Sequence, residues 1–217
     1  MFVRRYDMAD PVERETGLEV AANAVRRADL VVLPTDTVYG LGTDAFSPEG
    51  VEELLAAKGR GRDMPVPVLV GSPGTLAGIA TDLSDAARAL VEAFWPGGLT
   101  LVCQAQPSLQ WDLGDTRGTV AVRMPLHPVA IELLTATGPM AVSSANRTGM
   151  APPADVDEAI AQLGDAVSVY LDGGPSGAAV ASSIVDVTGD LPRLLRAGAL
   201  SASTLREVVP DLVVDQP

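Results

Sequence analysis

The chain has 217 residues, 47% of them hydrophobic and 20% charged, and its 28 acidic against 15 basic side chains give a net charge of -13. That length suits one large domain with a continuous core, and the acidic balance excludes a broad nucleic-acid footprint, which needs clustered basic surface. No apolar run approaches the ~18 residues of a membrane span, and no apolar stretch follows the early arginines Arg4 and Arg5, so a cytoplasmic protein is expected.

Short apolar runs alternate with longer helical patterns and Gly/Pro punctuation, which predicts an α/β fold. Pro11 to Ala28, behind Asp10, carries Leu18, Ala21, Ala22 and Val25 at helical spacing, and a strand follows at Leu30 to Leu33. Ser47-Pro48 opens a helix that ends at Lys58-Gly59, because Ser caps and Pro is tolerated at the first helical position. Val66 to Val70 reads as a strand interrupted by Pro67, hence an edge or bulged one. Ser84 to Phe94 is a helix stopped by Pro96-Gly97-Gly98. Leu99 to Gln104, Thr119 to Arg123 and Met140 to Ser143 read as strands, with a helix from Pro128 to Ala136. Asp155 to Leu163 is a further helix, and Val167 to Leu171 and Ser183 to Val187 are further strands. Gln106 to Gly118 and Gly173 to Ala181 remain as mobile loops, and loops of that length are often functional.

Several familiar signals fail. Gly40-Leu-Gly-Thr-Asp-Ala45 has the letters of a dinucleotide fingerprint, but the fingerprint needs its last small residue inside a helix, and none starts before Pro48. Cys103 stands alone in an apolar run and reads as a buried strand thiol. His127, the one histidine, reads as a turn residue, and no zinc site can be built from it.

What remains is a set of polar and cationic residues at the ends of predicted strands and helices, which in an open α/β sheet converge on one crevice. Lys58 is the only lysine beside fourteen arginines, and it sits in Lys58-Gly-Arg-Gly-Arg62, where glycines let the backbone approach phosphate oxygens. A compact ammonium and a planar guanidinium are not interchangeable at such a site. Thr35, Arg123, Ser143-Ser-Ala-Asn146, Ser182 and Arg196 complete the set. The result is a cationic cleft in an acidic protein, with no evident base or nucleophile. That suits displacement at phosphorus, where positioning and charge neutralisation do most of the catalysis.

Pro34-Thr-Asp-Thr-Val-Tyr-Gly-Leu-Gly42, Lys58-x-Arg60 followed by Asp63-Met-Pro65, Phe94-Trp-Pro-Gly-Gly-Leu-Thr100, Val120-Ala-Val-Arg-Met-Pro125, Ser144-x-Asn146 and Ser182-x-Ile-Val-Asp186 occur in that order. In these motifs the chain resembles the YrdC-type threonylcarbamoyl-AMP synthases over roughly residues 15 to 200. The resemblance implies a YrdC-like open twisted mixed sheet flanked by helices, with a concave cationic cleft, as a single domain over 1–217. It implies synthesis of L-threonylcarbamoyladenylate from L-threonine, bicarbonate and ATP with release of pyrophosphate. A separate transferase complex then consumes the product in modifying the tRNA adenosine beside the anticodon, so no stable nucleic-acid binding is expected. Carried over by motif, Lys58, Arg60 and Arg62 hold the ATP phosphates, Lys58 and Arg60 as the catalytic pair, and Thr119, Ser144, Asn146 and Arg196 complete the nucleotide site. Thr35, Arg123 and Ser182 hold threonine, Ser144 is shared, and Mg2+ arrives on ATP without a protein ligand.

Many relatives carry a histidine on the strand after Lys-x-Arg, where Leu69 falls here, so the threonine site is expected to differ on that wall. Two other readings compete. A carbamoyladenylate-forming carbamoyltransferase of the hydrogenase-maturation type needs acylphosphatase and zinc-finger segments for which 217 residues and one cysteine leave no room. An RNA-binding or ribosome-assembly module needs basic surface well beyond the cleft.

Overall fold

The computed structural model describes residues 3–177 and 180–214. In chain order the elements are β1 (Arg5–Asp7), α1 (Pro11–Arg26), β2 (Val31–Leu33), β3 (Gly40–Asp44), α2 (Pro48–Lys58), β4 (Val68–Leu69), α3 (Leu76–Ile79), β5 (Ala80–Thr81), α4 (Asp85–Phe94) and β6 (Leu99–Ala105). They continue with β7 (Thr119–Arg123), α5 (Pro128–Thr137), β8 (Met140–Ser144), α6 (Val156–Leu163), β9 (Val169–Asp172), β10 (Ser183–Asp186), β11 (Arg193–Arg196), α7 (Ala202–Arg206) and β12 (Val213–Val214).

The helices start where capping chemistry allows. Asp10 Oδ1 accepts from Val12 N at 2.8 Å and Glu13 N at 2.9 Å, and Ser47, Ser84 and Asp155 cap α2, α4 and α6 in the same way. Helix α2 ends at Gly59, whose φ of 61° is the left-handed C-cap conformation that favours glycine.

The strands form one mixed sheet in the order β1-β9-β2-β3-β8-β4-β7-β6-β10-β11-β12, with β5 added against β6. One face is packed by α2, α4 and α6 onto Val32, Leu41, Val68, Leu101, Val122 and Val185. The other face is covered by α1 and α5 only over β9, β2, β8 and β4, through Val31, Leu33, Leu69, Met140 and Val142. Alternation along each strand assigns one set to each face. Among the described residues, no helix of that second cluster covers the half of this face formed by β7, β6 and β10.

Two expectations are corrected by the sheet. Val66 to Val70 is not an edge strand: β4 is a two-residue segment inside the sheet, antiparallel to β8 and parallel to β7. Pro67 is tolerated because it stands just before β4 and uses only its carbonyl, which accepts from Val142 N at 2.8 Å. Gly40–Asp44, left out of the predicted strands, is β3, antiparallel to both β2 and β8. Its glycines are required by packing, since a Cβ at Gly40 would come within 2.7 Å of Val142 Cγ1 and one at Gly42 within 2.9 Å of Cγ2. The rejection of the dinucleotide fingerprint stands, because its letters lie on a strand.

The segment 106–118, expected to be a mobile loop, is tied down. Leu113 is buried, Leu113 O accepts from Val66 N at 2.9 Å, Asp115 N donates to Arg62 O at 2.8 Å, and Trp111 stacks on Phe46 with centroids 5.6 Å apart. Of the expected loop at 173–181, residues 178 and 179 lie outside the described residues. Before them, Tyr39 Oη accepts from Gly173 N at 3.0 Å and donates to Gly174 O at 2.5 Å.

Candidate active site

The uncovered half-face is the floor of a cavity of about 420 Å³, within the range of small-molecule sites. Strand register builds that floor. Leu69 pairs with Arg123, Leu101 with Val122 and Thr100 with Ile184, so Leu69, Arg123, Thr100 and Ile184 lie in one row across the sheet. Ala121 pairs with Val102 in the next row. The predicted residues Arg123, Ser144 and Arg196 end β7, β8 and β11 and Ser182 precedes β10, so they stand at strand ends as expected and meet beside this uncovered face.

Seven of the predicted site residues line the cavity or hold its walls directly: Thr35, Arg60, Arg123, Ser144, Ser182 and Arg196 are in the lining, and Asn146 lies in the turn beneath Ser144. Thr37, Tyr39 and Ser143 line it as well, and no carboxylate does so among the described residues. Three guanidinium groups in a lining without carboxylates suit an anionic ligand.

Arg123 is the most constrained of the three. Its Nε donates to Gly97 O at 2.9 Å, Nη1 to Thr37 Oγ1 at 2.7 Å and Nη2 to Asp36 Oδ1 at 2.6 Å. Five N–H groups less these three leave one free on each terminal nitrogen, enough for a two-pronged grip on a carboxylate. Burial pulls its pKa down and Asp36 opposes that fall. Asp36 Oδ1 also accepts from Leu126 N at 2.8 Å. Asp36 and Thr37 belong to the Pro34–Gly42 motif, but their pairing with Arg123, 87 and 86 positions away, carries no signal in the sequence.

Arg196 donates from Nε and Nη2 to Ser182 O at 3.0 and 2.7 Å, and Ser182 Oγ lies 2.8 Å from Thr100 Oγ1. Thr35 Oγ1 donates to Val38 O at 2.6 Å and accepts from Thr37 N and Val38 N, which shapes the turn before β3. Arg60 Nη1 donates to Ser143 Oγ at 3.1 Å, while its Nε is buried with no partner. An unpaired donor of that kind is costly unless a ligand satisfies it.

The remaining three predicted residues stand apart from the lining. Arg62 is 54% exposed, paired with Asp112 at 2.6 Å. Thr119 starts β7 and donates to Thr116 O at 2.8 Å. Lys58 is 3% exposed, and its Nζ donates to the main-chain oxygens of Ser144 and, at 2.5 Å, of Asn146. Burial, with Arg60 adding to it, lowers its pKa to about 8. Cys103 is buried as expected, and burial pushes its thiol up to about 12. His127 stands immediately before α5 without making a side-chain cap bond. Among the described residues no cluster of three His, Cys, Asp or Glu is placed to hold a metal, and no helix is long and apolar enough to cross a membrane.

An open sheet face whose cavity is lined, among the described residues, by three arginines, several hydroxyls and no carboxylate defines an α/β protein with a cleft suited to anions. The Sua5/YciO/YrdC family model, described as telomere recombination, matches residues 23–198, and the chain belongs to that family. A Mycobacterium tuberculosis relative is 58% identical over 204 residues, 94% of each chain. The Bacillus subtilis threonylcarbamoyl-AMP synthase is 34% identical over 198 residues, 90% of this chain and 57% of its own length. The crystal structure of Pyrococcus abyssi Sua5 complexed with L-threonine superposes with a TM-score of 0.91 at 30% identity, over 99% of this chain and 63% of that one. The chain thus spans a little over half the length of the latter two proteins and nearly all of the first.

Proposed function

We propose that this chain is an enzyme that makes L-threonylcarbamoyladenylate from L-threonine, bicarbonate and ATP, and that its product feeds threonylcarbamoylation of tRNA by a separate transferase in the cytoplasm. The single observation that carries the chemistry is the convergence of Arg60, Arg123 and Arg196 on one cavity whose lining, among the described residues, has no carboxylate. The similarity to threonylcarbamoyl-AMP synthases supplies the reaction.

The threonine amine and bicarbonate give a carbamate and water. The carbamate oxygen attacks the α-phosphorus of ATP, the bond to the bridging oxygen breaks, and pyrophosphate leaves with that electron pair. An anionic nucleophile needs no general base, which agrees with a lining that offers none. Arg123 holds the threonine carboxylate through its two free N–H groups, with Thr35 and Ser182 beside it. Arg60 and Arg196 face the phosphates, Arg60 Nε being the donor that still needs a partner. Arg62 reaches the nucleotide only by leaving Asp112. Because the lining lacks carboxylates, Mg2+ would be held by phosphate oxygens and water, where it offsets charge on the leaving group. Leu69 gives the threonine pocket an apolar wall.

Mass spectrometry of the product formed from ATP, threonine and 13C-bicarbonate tests this reading. Label in an adenylate of N-carboxythreonine is expected; pyrophosphate release indifferent to threonine would refute it. Salt-dependent RNA binding without ATP turnover would favour the RNA-module alternative instead.

A further inference from the structure

The lone lysine, expected at the phosphates, has its ammonium elsewhere. Lys58 ends α2, and three of its bonds run to one segment: Nζ to Ser144 O and Asn146 O, and its own carbonyl oxygen to Thr148 N at 2.8 Å. That segment leaves β8 and carries Ser144, which lines the cavity, and Asn146, whose Nδ2 donates to Arg147 O at 3.0 Å and Met150 O at 2.7 Å. The ammonium is enclosed and is absent from the cavity lining. Its acceptors are neutral, and the nearby charge of Arg60 is of like sign. A buried charge of that kind is retained at a cost, so the bonds it makes must matter to something.

We propose that Lys58 is a positioning residue: its ammonium staples the end of α2 to the 144–148 turn and so fixes Ser144 and Asn146 for the nucleotide, while phosphate contact falls to Arg60 and Arg196. The inference rests on the nucleotide reading of the cavity. The geometry also explains why the residue is lysine. Two carbonyl oxygens converging in an enclosed space suit a compact ammonium with three rotatable donors, whereas a planar guanidinium needs more room.

Two roles separate on the phosphate chain. A ligand of the β- or γ-phosphate contributes to ATP binding and little to AMP binding, whereas a residue that fixes the turn contributes equally to both. Calorimetric titration of AMP and of α,β-methylene-ATP into wild type, Lys58→Met and Arg60→Met is the test. Lys58→Met is expected to weaken both nucleotides by the same factor, within twofold, while Arg60→Met weakens the ATP analogue at least tenfold more than AMP. A tenfold or larger selective loss of the ATP analogue in Lys58→Met overturns the proposal. Wild-type protein that binds neither nucleotide overturns the nucleotide reading itself, and the inference with it.

If Lys58→Met does not fold, the wild type decides, because 13C,15N-lysine labelling places a single side-chain signal in the whole protein. Equal displacement of the Lys58 Cε–Nζ resonances by AMP and by the ATP analogue supports the staple. Displacement by the ATP analogue alone overturns it.

Discussion

Replacing Asp36 with alanine removes the carboxylate that holds Arg123 Nη2 at 2.6 Å and Leu126 N at 2.8 Å. The Arg123 side chain is 7% exposed and that of Asp36 17%. Breaking a fully buried pair by deleting one partner costs about 3–5 kcal/mol, because the other charge is left without compensation. Here Arg123 keeps Gly97 O and Thr37 Oγ1, and Asp36 is partly solvated, so we expect a loss of roughly 2–3 kcal/mol. For a protein of this size that is a fall in Tm of roughly 4–12 °C. The KM for threonine should rise well beyond that for ATP, because the freed guanidinium no longer presents its two remaining N–H groups in a fixed direction. Thermal unfolding and threonine-dependent pyrophosphate release are the assays. The cycle with Arg123→Met should show a coupling of about 2 kcal/mol. A Tm within 2 °C of wild type together with an unchanged threonine KM refutes the assignment of Asp36 as the residue that orients Arg123.

Gly198→Ala places a Cβ 2.3 Å from Ala181 O and 2.6 Å from Ser182 O, both main chain. It should cost about 1–3 kcal/mol in chemical denaturation and depress turnover by moving Ser182 from Arg196. Gly189→Ala, which meets nothing within 4 Å, should stay within about 0.5 kcal/mol. Tyr39→Phe leaves Gly173 N and Gly174 O without their partner and should destabilise by about 1–3 kcal/mol, with faster amide exchange at 173–174. Lys58 titrates near 8 when folded against an ordinary 10.5. Between those values the unfolded chain holds the proton that the folded one has lost, so this residue makes stability rise with pH by up to about 1.4 kcal/mol per unit. Below 8 both states are protonated and the slope vanishes. The stability difference between wild type and Lys58→Met, measured by urea unfolding from pH 7 to 10.5, should follow that curve, and a flat difference contradicts it.

What could be read from the chain depended on whether its signal was local. Helix α2 was legible at both ends because Ser47-Pro48 and Lys58-Gly59 are self-contained cap signals. Strand β7 was legible because Thr119-Val-Ala-Val-Arg123 is rich in β-branched residues. Strand β3 was not, since its glycines answer to Val142 across the ladder, a demand visible only once β8 lies beside it. The same holds for β4, whose interior place is set by partners on both sides.

The site shows this division most sharply at Lys58 and Arg123. Residue types and their order pointed to both, but what each does depends on where its donors point, which the fold decides. Arg123 emerges on the uncovered half-face with two N–H groups free, because β7 alternates and no helix covers it there. Lys58 emerges from the last turn of α2 on the helix-packed side, so its ammonium meets the carbonyls that end β8 before it can reach the cavity. A cation found by composition is therefore assigned to the ligand or to the protein by the face from which its helix or strand presents it. In this fold Arg123 on the open face keeps donors free toward the cavity, and the donors of Lys58 are turned to the carbonyls of Ser144 and Asn146.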